Sequence, residues 1–341
     1  MTPCATTETP TETRQIVLAS RPHGTPTDEN FRLETAAIPT LKSGQILVQN
    51  EVMSVDPYMR GRMNDAKSYI PPFQIDEPLE GTAVGTVIAS ESDSIKVGDH
   101  VSHMLGWREF SVVDDDAATV VDVEAASPSK YLGILGMPGL TAYVGLTEIA
   151  KFKKGDVVFV SGAAGAVGSA VGQIAKALGA SKVIGSAGSA EKIARIKELG
   201  FDEAFNYKDG DVAESLTKAA PDGIDVYYDN VGGDHLQAAI GALRKYGRVA
   251  MCGAVSQYNN TEPEPGPNNL FLAVGKELNL RGFIVGNHYD LAEEFHKHAI
   301  EWLQDGTLQA DETFRDGLEN APQAFIDLLG GANTGKMVVR L

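Results

Sequence analysis

A glycine-rich turn is the segment of the sequence whose composition points most directly to chemistry. The apolar run Val157–Val160 is typical of a buried strand, and residues 161–168 follow it as Ser-Gly-Ala-Ala-Gly-Ala-Val-Gly. Small residues there let the backbone approach a pyrophosphate, whose charge meets the free N–H groups of the following helix. The spacing is GxxGxxG, and the candidate ligands are Gly162, Ala164, Gly165, Val167 and Gly168. Between a strand and a helix, this pattern favours dinucleotide binding over its alternative, close helix packing.

The segment about 20 residues further along distinguishes between the two nicotinamide dinucleotides. An NAD site carries a carboxylate there, which accepts hydrogen bonds from the adenosine ribose. This chain instead has Gly188 and Ser189, with no carboxylate before Glu191, and the cations Lys192 and Arg195 follow. Hydroxyl groups and a cation suit a ribose 2′-phosphate, so the segment favours NADPH. A solvated helix face remains the alternative interpretation of Lys192.

Alternating strands and helices must position these residues. Helical spacing of apolar residues predicts a helix over Ala166–Leu178, and Ser189 is a good cap for the next helix. Six apolar runs predict strands at Val157–Val160, Lys182–Gly185, Ala204–Tyr207, Asp225–Tyr228, Arg248–Cys252 and Leu280–Val285. The alternation indicates parallel strands joined by right-handed crossovers, and therefore an α/β, doubly wound sheet.

The preceding part of the chain has a different pattern. Six threonines and two prolines in residues 1–13 predict a flexible tail. Short β-type runs between glycine and proline follow, which predict a β-rich domain over residues 14–128. The strand-like end of the chain is expected to return to this domain, so that 306–341 complete it and 129–305 form the α/β domain.

Composition excludes several classes of function. Lys and Arg number 29 against 46 Asp and Glu, a net charge of −17, which disfavours nucleic-acid binding. The two cysteines are too few for a disulfide scaffold or a four-thiolate zinc site. His100 and His103 are predicted on opposite faces of a strand, and His296 and His298 diverge on a helix, so no metal site is expected. No membrane-length apolar run or secretory signal is present, which predicts a cytoplasmic protein without a membrane partner.

Six blocks of sequence carry a resemblance to a known family: Val17–Pro22, Ser54–Arg60, Leu135–Tyr143, Tyr228–Gly233, Gly253–Asn259 and Arg281–Phe283. From about Arg14 onward the chain resembles the medium-chain dehydrogenase/reductase superfamily. Within it, the chain is similar to the zinc-independent, NADPH-dependent alkenal/one oxidoreductases. These include prostaglandin (leukotriene B4 12-hydroxydehydrogenase-like) reductases, plant double-bond reductases and bacterial curcumin reductase, and the chain looks close to the last of these. The resemblance implies a GroES-like domain, a Rossmann domain, a cleft where they meet, and a homodimer.

The resemblance also implies roles for individual residues. Lys192 and Tyr207 match positions at the 2′-phosphate, and Tyr258 matches the tyrosine facing nicotinamide and substrate carbonyl. Positions around the ribose and nicotinamide correspond to Met137, Thr141, Asn230, Cys252, Ser256, Phe283, Val285 and Asn333. Tyr58 and Tyr69 are candidates for the substrate side, with ordinary packing as the alternative. Where relatives often carry Met before a glycine, this chain has Glu80, which can alter the pocket or the substrate preference.

The chemistry that these residues suit is reduction of an α,β-unsaturated carbonyl. Hydride addition to the β-carbon builds negative charge on the carbonyl oxygen, which requires a hydrogen-bond donor. A tyrosine hydroxyl such as that of Tyr258 is protonated at neutral pH and needs no metal. A loop tyrosine packed against a strand is the alternative, and the resemblance favours the donor role. The expected function is therefore NADPH-dependent reduction of the C=C bond of enones and enals. A quinone reductase of the same superfamily, a non-catalytic NADPH-sensing protein and a methyltransferase with a similar glycine-rich turn are the alternatives.

Overall fold

The computed structural model describes residues 9–341, which form two compact units. The first unit comprises the residues up to Leu132 together with Phe314–Leu328 and Met337–Leu341. The second comprises Gly133–Thr313 and Leu329–Lys336. Residues 1–8, most of the segment predicted to be a tail, lie outside the described residues, whereas residues 12 and 13 already belong to the first strand.

The regular elements of residues 9–341 are numbered in chain order. The strands are β1 (Glu12–Leu18), β2 (Phe31–Ala37), β3 (Gln45–Ser54), β4 (Ala83–Ser90), β5 (His100–His103), β6 (Phe110–Asp114), β7 (Thr119–Val120), β8 (Val157–Val160), β9 (Lys182–Ala187), β10 (Glu203–Asn206), β11 (Ile224–Asp229), β12 (Leu243–Met251), β13 (Asn279–Gly282), β14 (Glu312–Asp316) and β15 (Lys336–Arg340). The helices are α1 (Met59–Arg62), α2 (Met137–Val144), α3 (Ala166–Ala177), α4 (Ala190–Glu198), α5 (Val212–Ala219), α6 (Gly233–Ala242), α7 (Leu272–Lys276), α8 (Ala292–Gln304) and α9 (Ala321–Leu329). None of these helices is long and apolar enough to cross a membrane.

The first unit is built on antiparallel strands. Its main sheet has the order β14-β15-β3-β4-β5-β7, with β6 also paired to β3, while β1 and β2 form a separate pair. Strand β15 runs antiparallel to β3, with Val338 opposite Ser54, so the end of the chain is part of this sheet. Apolar side chains at alternate positions, such as Ile46 and Val48, are fully buried and form one core of this unit.

The second unit contains a six-stranded parallel sheet in the order β10-β9-β8-β11-β12-β13. In terms of the strands of this unit alone, the order is 3-2-1-4-5-6, which is that of a doubly wound Rossmann sheet. The predicted α/β class and parallel sheet are therefore confirmed. Because β13 ends at Gly282, the predicted strand is three residues too long, and Val285 instead begins a short 3₁₀ helix.

Local sequence explains how the two helices nearest the glycine turn begin. Helix α3 starts directly after Gly165, and its apolar residues Val171 and Ile174 are fully buried. Helix α4 is capped as predicted, since the Ser189 hydroxyl accepts a hydrogen bond from the Lys192 N–H at 3.3 Å. Both helix N-termini lie at the carboxyl ends of parallel strands, the edge where such sheets bind ligands.

Candidate functional site

The turn between β8 and α3 has a backbone that only small residues permit. Gly162 has a φ of 60°, a left-handed conformation that suits glycine. A Cβ on Gly168 would overlap the carbonyl oxygen of Gly162, so a side chain there would push α3 away from the turn. The first turn of α3 carries no acidic residue, which leaves its positive end suited to an anion. This geometry fits the predicted pyrophosphate turn.

A second cluster forms where β9 and β10 end, and we call it the phosphate corner: Gly188, Ser189, Lys192, Tyr207 and Lys208. A Cβ on Gly188 would lie only 2.9 Å from the Tyr207 hydroxyl and 3.2 Å from Lys208 Cε. The absence of a side chain at Gly188 is therefore what allows these two groups to approach the end of β9. Strand β9 ends at Ala187, and no carboxylate follows it before Glu191.

The electrostatics of the phosphate corner suit an anion. Burial lowers the pKa of Lys192. Repulsion by the positive charge of Lys208 lowers this pKa further. A bound dianion would relieve that repulsion. The Lys192 ammonium also donates a hydrogen bond to the Gly331 carbonyl at 2.7 Å. Sequence analysis missed Lys208, although a cation directly after Tyr207 was a visible signal.

Arg195, a second cation of helix α4, is engaged elsewhere. Its Nε lies 2.8 Å from Asp311 Oδ2, and its Nη1 lies 2.9 Å from Glu198 Oε2. Two carboxylates therefore neutralise this guanidinium, and Lys192 and Lys208 are the cations of the corner.

The ends of β11 and β12 bring three predicted cofactor residues together. The Asn230 amide donates to the Ser161 carbonyl at 2.8 Å, which ties it to the start of the glycine turn. The Cys252 N–H donates to the Asp229 carbonyl at 2.9 Å, and the Ser256 hydroxyl donates to the Val231 carbonyl at 2.6 Å. Asn230, Cys252 and Ser256 thus lie on two loops that are joined to each other.

Tyr258 follows a short 3₁₀ helix, Val255–Gln257, on the second of these loops. Its side chain is half-buried, and its hydroxyl accepts a long hydrogen bond of 3.4 Å from the Ala254 N–H. A Cβ on Gly253 would come within 3.1 Å of the same hydroxyl, so glycine makes room for the ring. The loop thereby holds a phenol, a metal-free hydrogen-bond donor, at the carboxyl edge of the sheet.

Helix α2 and the segment after β13 meet at Tyr228, a buried residue that sequence analysis did not single out. The Tyr228 hydroxyl donates to the Thr141 carbonyl at 2.7 Å, and the Thr141 hydroxyl donates to the Met137 carbonyl at 2.7 Å. The Phe283 ring stands edge-on to that of Tyr228 at 6.5 Å. Burial raises the pKa of the nearby Cys252 thiol to about 12. Tyr228 therefore links the predicted positions Met137, Thr141, Cys252 and Phe283, whereas Val285 lies half-buried just beyond Phe283.

The segment Leu329–Lys336 brings Asn333 to the glycine turn. The Gly335 N–H donates to the Ala164 carbonyl at 2.8 Å, and Asn333 is buried, with its amide donating to the Gly335 carbonyl at 2.7 Å. Sequence analysis assigned this segment to the first domain, whereas it groups with the second unit. Its hydrogen bonds to Ala164 and Lys192 provide the physical reason.

The first unit holds the candidate substrate residues. The Tyr58 hydroxyl is buried without a hydrogen-bond partner among the described residues, and burial raises its pKa. Tyr69 is 62% exposed. Glu80 forms an ion pair of 2.7 Å with Arg62, which is buried and lies over the Phe73 ring. The residue that departs from the family pattern is therefore anchored by a buried cation.

No group of three or more His, Cys, Asp or Glu side chains in residues 9–341 is arranged to bind a metal ion. His100 lies 3.3 Å from the Glu51 carboxylate, whereas His103 is buried and lies 2.9 Å from Asn50. Burial lowers the pKa of His103 to about 3, so this side chain is a neutral packing residue.

Comparisons with known proteins agree with this architecture. Residues 14–121 match the family described as the N-terminal domain of oxidoreductase, and residues 166–305 match that described as zinc-binding dehydrogenase. The chain is 43% identical to the NADPH-dependent curcumin reductase of Escherichia coli and 41% identical to the NADP(+)-dependent 2-alkenal reductase of Nicotiana tabacum, with 96% of both chains covered in each case. The crystal structure of CurA from Vibrio vulnificus in complex with NADPH superposes with a TM-score of 0.91 at 44% identity, covering 96% of this chain and 98% of that one. The chain therefore belongs to the medium-chain dehydrogenase/reductase family, within its NADPH-dependent alkenal/one oxidoreductases.

Proposed function

We propose that this protein uses NADPH to reduce the C=C bond of α,β-unsaturated ketones and aldehydes. The observation that carries the proposal is similarity over 96% of the chain to relatives named curcumin reductase and 2-alkenal reductase. The substrate is a small molecule, and neither nucleic acid nor a membrane takes part. The proposed location is the cytoplasm, a compartment that would keep a free cysteine such as Cys252 reduced.

The residues of the second unit fit the cofactor. Gly162, Gly165 and Gly168 would hold the pyrophosphate, as would the backbone at Ala164 and Val167, and the phosphate corner would hold the 2′-phosphate. The positions that would surround the ribose and nicotinamide are Met137, Thr141, Asn230, Cys252, Ser256, Phe283, Val285 and Asn333. When bound, NADPH would supply the hydride that adds to the β-carbon of the substrate, and a proton from water added at the α-carbon would complete the saturated carbonyl compound.

Tyr258 would orient and polarise the substrate. Its hydroxyl donates a hydrogen bond to the carbonyl oxygen, where negative charge accumulates as the β-carbon is reduced. Tyr58 and Tyr69 are proposed to line the substrate side, and the buried Tyr58 hydroxyl offers a second donor.

The Cys252 thiol is not expected to react with an electrophilic substrate. The thiolate form of a cysteine adds readily to an enone, so a cysteine reacts with an enone only after its thiol has lost the proton. Burial raises the pKa of Cys252 to about 12, so the thiol stays protonated at neutral pH. A protonated thiol is a weak nucleophile towards an enone.

A product-identified assay tests the proposal. The purified protein is incubated with an enal, an enone and a quinone, each with NADPH and with NADH. We expect consumption of NADPH and the saturated carbonyl compound as the main product. An allylic alcohol, turnover restricted to the quinone, or tight NADPH binding without turnover of any electrophile would contradict the proposal.

We also propose that the protein is a homodimer. Strand β13 ends the sheet of the second unit, and its residues are mostly exposed. In the neighbouring helix α7 and the residue before it, the side chains of Phe271 and Val274 are 71% and 81% exposed. An exposed sheet edge beside exposed apolar side chains is typical of a surface that a second chain covers.

A further inference from the structure

Asp229 is a buried carboxylate at the end of β11 that none of the roles above uses. It is 1% exposed, and one of its oxygens, Oδ1, accepts three hydrogen bonds. The donors are the Tyr227 hydroxyl at 2.7 Å, the Val231 N–H at 3.1 Å and the Gly232 N–H at 2.7 Å. Burial raises the pKa of Asp229, and these donors act in the opposite direction because they stabilise the charged form.

The carboxylate holds a turn that has little stability of its own. Gly232 and Gly233 have φ values of 75° and 50°, and α6 begins immediately at Gly233. Without an acceptor, the N–H group of Gly232 would be buried and unsatisfied, and that of the half-buried Val231 would lose its partner. Asp229 therefore supplies the acceptor for the two backbone N–H groups that follow Asn230.

The loop that carries Tyr258 is built on this turn. The Asp229 carbonyl accepts from the N–H groups of Cys252 at 2.9 Å and Gly253 at 3.0 Å. One and two residues further along, the carbonyls of residues 230 and 231 accept from the N–H groups of residues 255 and 256, both at 3.2 Å. A displacement of the turn would therefore displace the backbone of residues 252–258.

Asp229 is also linked to the glycine turn. The Tyr227 hydroxyl lies 2.9 Å from the Ser161 hydroxyl oxygen, which in turn accepts a hydrogen bond from the Asn230 N–H at 3.1 Å. Ser161 is fully buried and directly precedes Gly162. One carboxylate thus connects three segments: the predicted pyrophosphate turn, residues 229–233, which we call the Asn230 turn, and residues 252–258, which we call the Tyr258 loop.

We propose that Asp229 is a positioning residue whose carboxylate holds the Asn230 turn, and through it the Tyr258 loop, in register with the glycine turn. The functional part of this inference rests on the proposed role of Tyr258. The structural part does not, because it concerns hydrogen bonds that exist without cofactor or substrate.

Three variants test the inference: Asp229→Ala, Asp229→Asn and, as a control, Asp156→Ala. Asp156 is 8% exposed and belongs to the same unit, where its carboxylate accepts from the Lys153 N–H and pairs with Arg248. The measurements are amide hydrogen exchange of peptides covering 229–233 and 252–258 in the protein without cofactor, the Kd for NADPH, and kcat and KM for an enone.

We expect Asp229→Ala to accelerate exchange about tenfold or more in both segments. The N–H groups of Val231 and Gly232 lose their acceptor, and the backbone of 252–258 is hydrogen-bonded to the turn that this loss loosens. Misplacement of the reacting groups should lower kcat/KM by about 30-fold to 100-fold. Asp229→Asn keeps an acceptor oxygen and should return both exchange and kcat/KM to within about threefold of the parent protein. Asp156→Ala should lower the melting temperature while leaving exchange in both segments and kcat unchanged.

Parent-like exchange in 252–258 of Asp229→Ala, or equal loosening in Asp156→Ala, would overturn the inference. If Asp229→Ala does not fold, Tyr227→Phe replaces it, because this variant removes one of the three donors and keeps the carboxylate. Faster exchange of 229–233 and 252–258 in Tyr227→Phe would support the inference, and parent-like exchange in both would overturn it. A parent protein that reduces no enone, combined with the expected exchange pattern, would contradict the proposed function alone.

Discussion

The proposed reduction assigns transition-state stabilisation first to the hydroxyl of Tyr258. Tyr258→Phe removes the donor and keeps the ring in the space that Gly253 leaves. We expect kcat to fall about 100-fold or more, as for loss of one oxyanion donor, with the Kd for NADPH almost unchanged. Steady-state kinetics and a cofactor fluorescence titration measure the two quantities. Tyr58→Phe is the matched variant, and a larger effect there would transfer the donor role to Tyr58.

His103 predicts how the first unit responds to acid. Its Nδ1 accepts the Leu105 N–H at 3.1 Å, so the proton is on Nε2, which faces the Asn50 amide oxygen. Because its pKa is lowered to about 3, the folded protein does not protonate this side chain near pH 5, whereas the unfolded chain does below about pH 6.5. The free energy of unfolding should therefore decrease as pH falls from about 6.5 towards 3.

The histidine prediction is checked by thermal unfolding between pH 4 and pH 8. In His103→Gln the melting temperature should depend less steeply on pH over this window, even if the variant is less stable throughout. The control His100→Gln alters a side chain that is only partly buried and should keep the slope of the parent protein. An unchanged slope in His103→Gln would show that other groups cause the acid sensitivity.

At the scale of elements, the phosphate corner joins the start of α4 to the end of β10, and both contribute a cation. We expect Lys192→Ala to raise KM for NADPH about tenfold or more, equivalent to about 1.4 kcal/mol, and Lys208→Ala to raise it less. KM for NADH should change far less, because NADH carries no 2′-phosphate. Lys197→Ala, an exposed cation on the same helix, is the control and should leave both constants unchanged.

The outcome also separates two roles of Lys192. A loss shared equally by NADPH and NADH would remove the 2′-phosphate assignment and would instead reflect the lost hydrogen bond to Gly331. That bond connects α4 to the segment carrying Asn333, so its loss would disturb a position predicted for either cofactor.

At the scale of the whole molecule, the homodimer proposal makes a direct prediction. The parent protein should sediment as a dimer at micromolar concentration, and Phe271→Glu should shift it towards monomer, because a charge on a covered apolar surface is unfavourable. Val97→Glu changes a similarly exposed side chain, 63% accessible, in the first unit and should leave the dimer intact. A monomeric parent protein would contradict the proposal.

The sequence by itself determined the features that depend on neighbouring residues. The alternation of apolar runs predicted all six strands of the parallel sheet, because strand and helix periodicity are local properties. The Ser189 cap and the missing carboxylate after β9 were likewise visible, since each lies within a few residues of the element it affects. The roles of Asn230, Asn333 and Tyr258 came from family resemblance and stay predictions.

Only the tertiary structure decided which distant groups share a site. The lack of a side chain at Gly188 lets Lys208 approach the phosphate corner, and Asp311 neutralises Arg195. The segment ending at Lys336 groups with the second unit. The use of Asp229 to join two loops also required the folded chain. The physical reason is the same in each case: a hydrogen bond or ion pair between residues far apart in the chain depends on how the strands are ordered in the sheet, and it leaves no periodic trace in either segment.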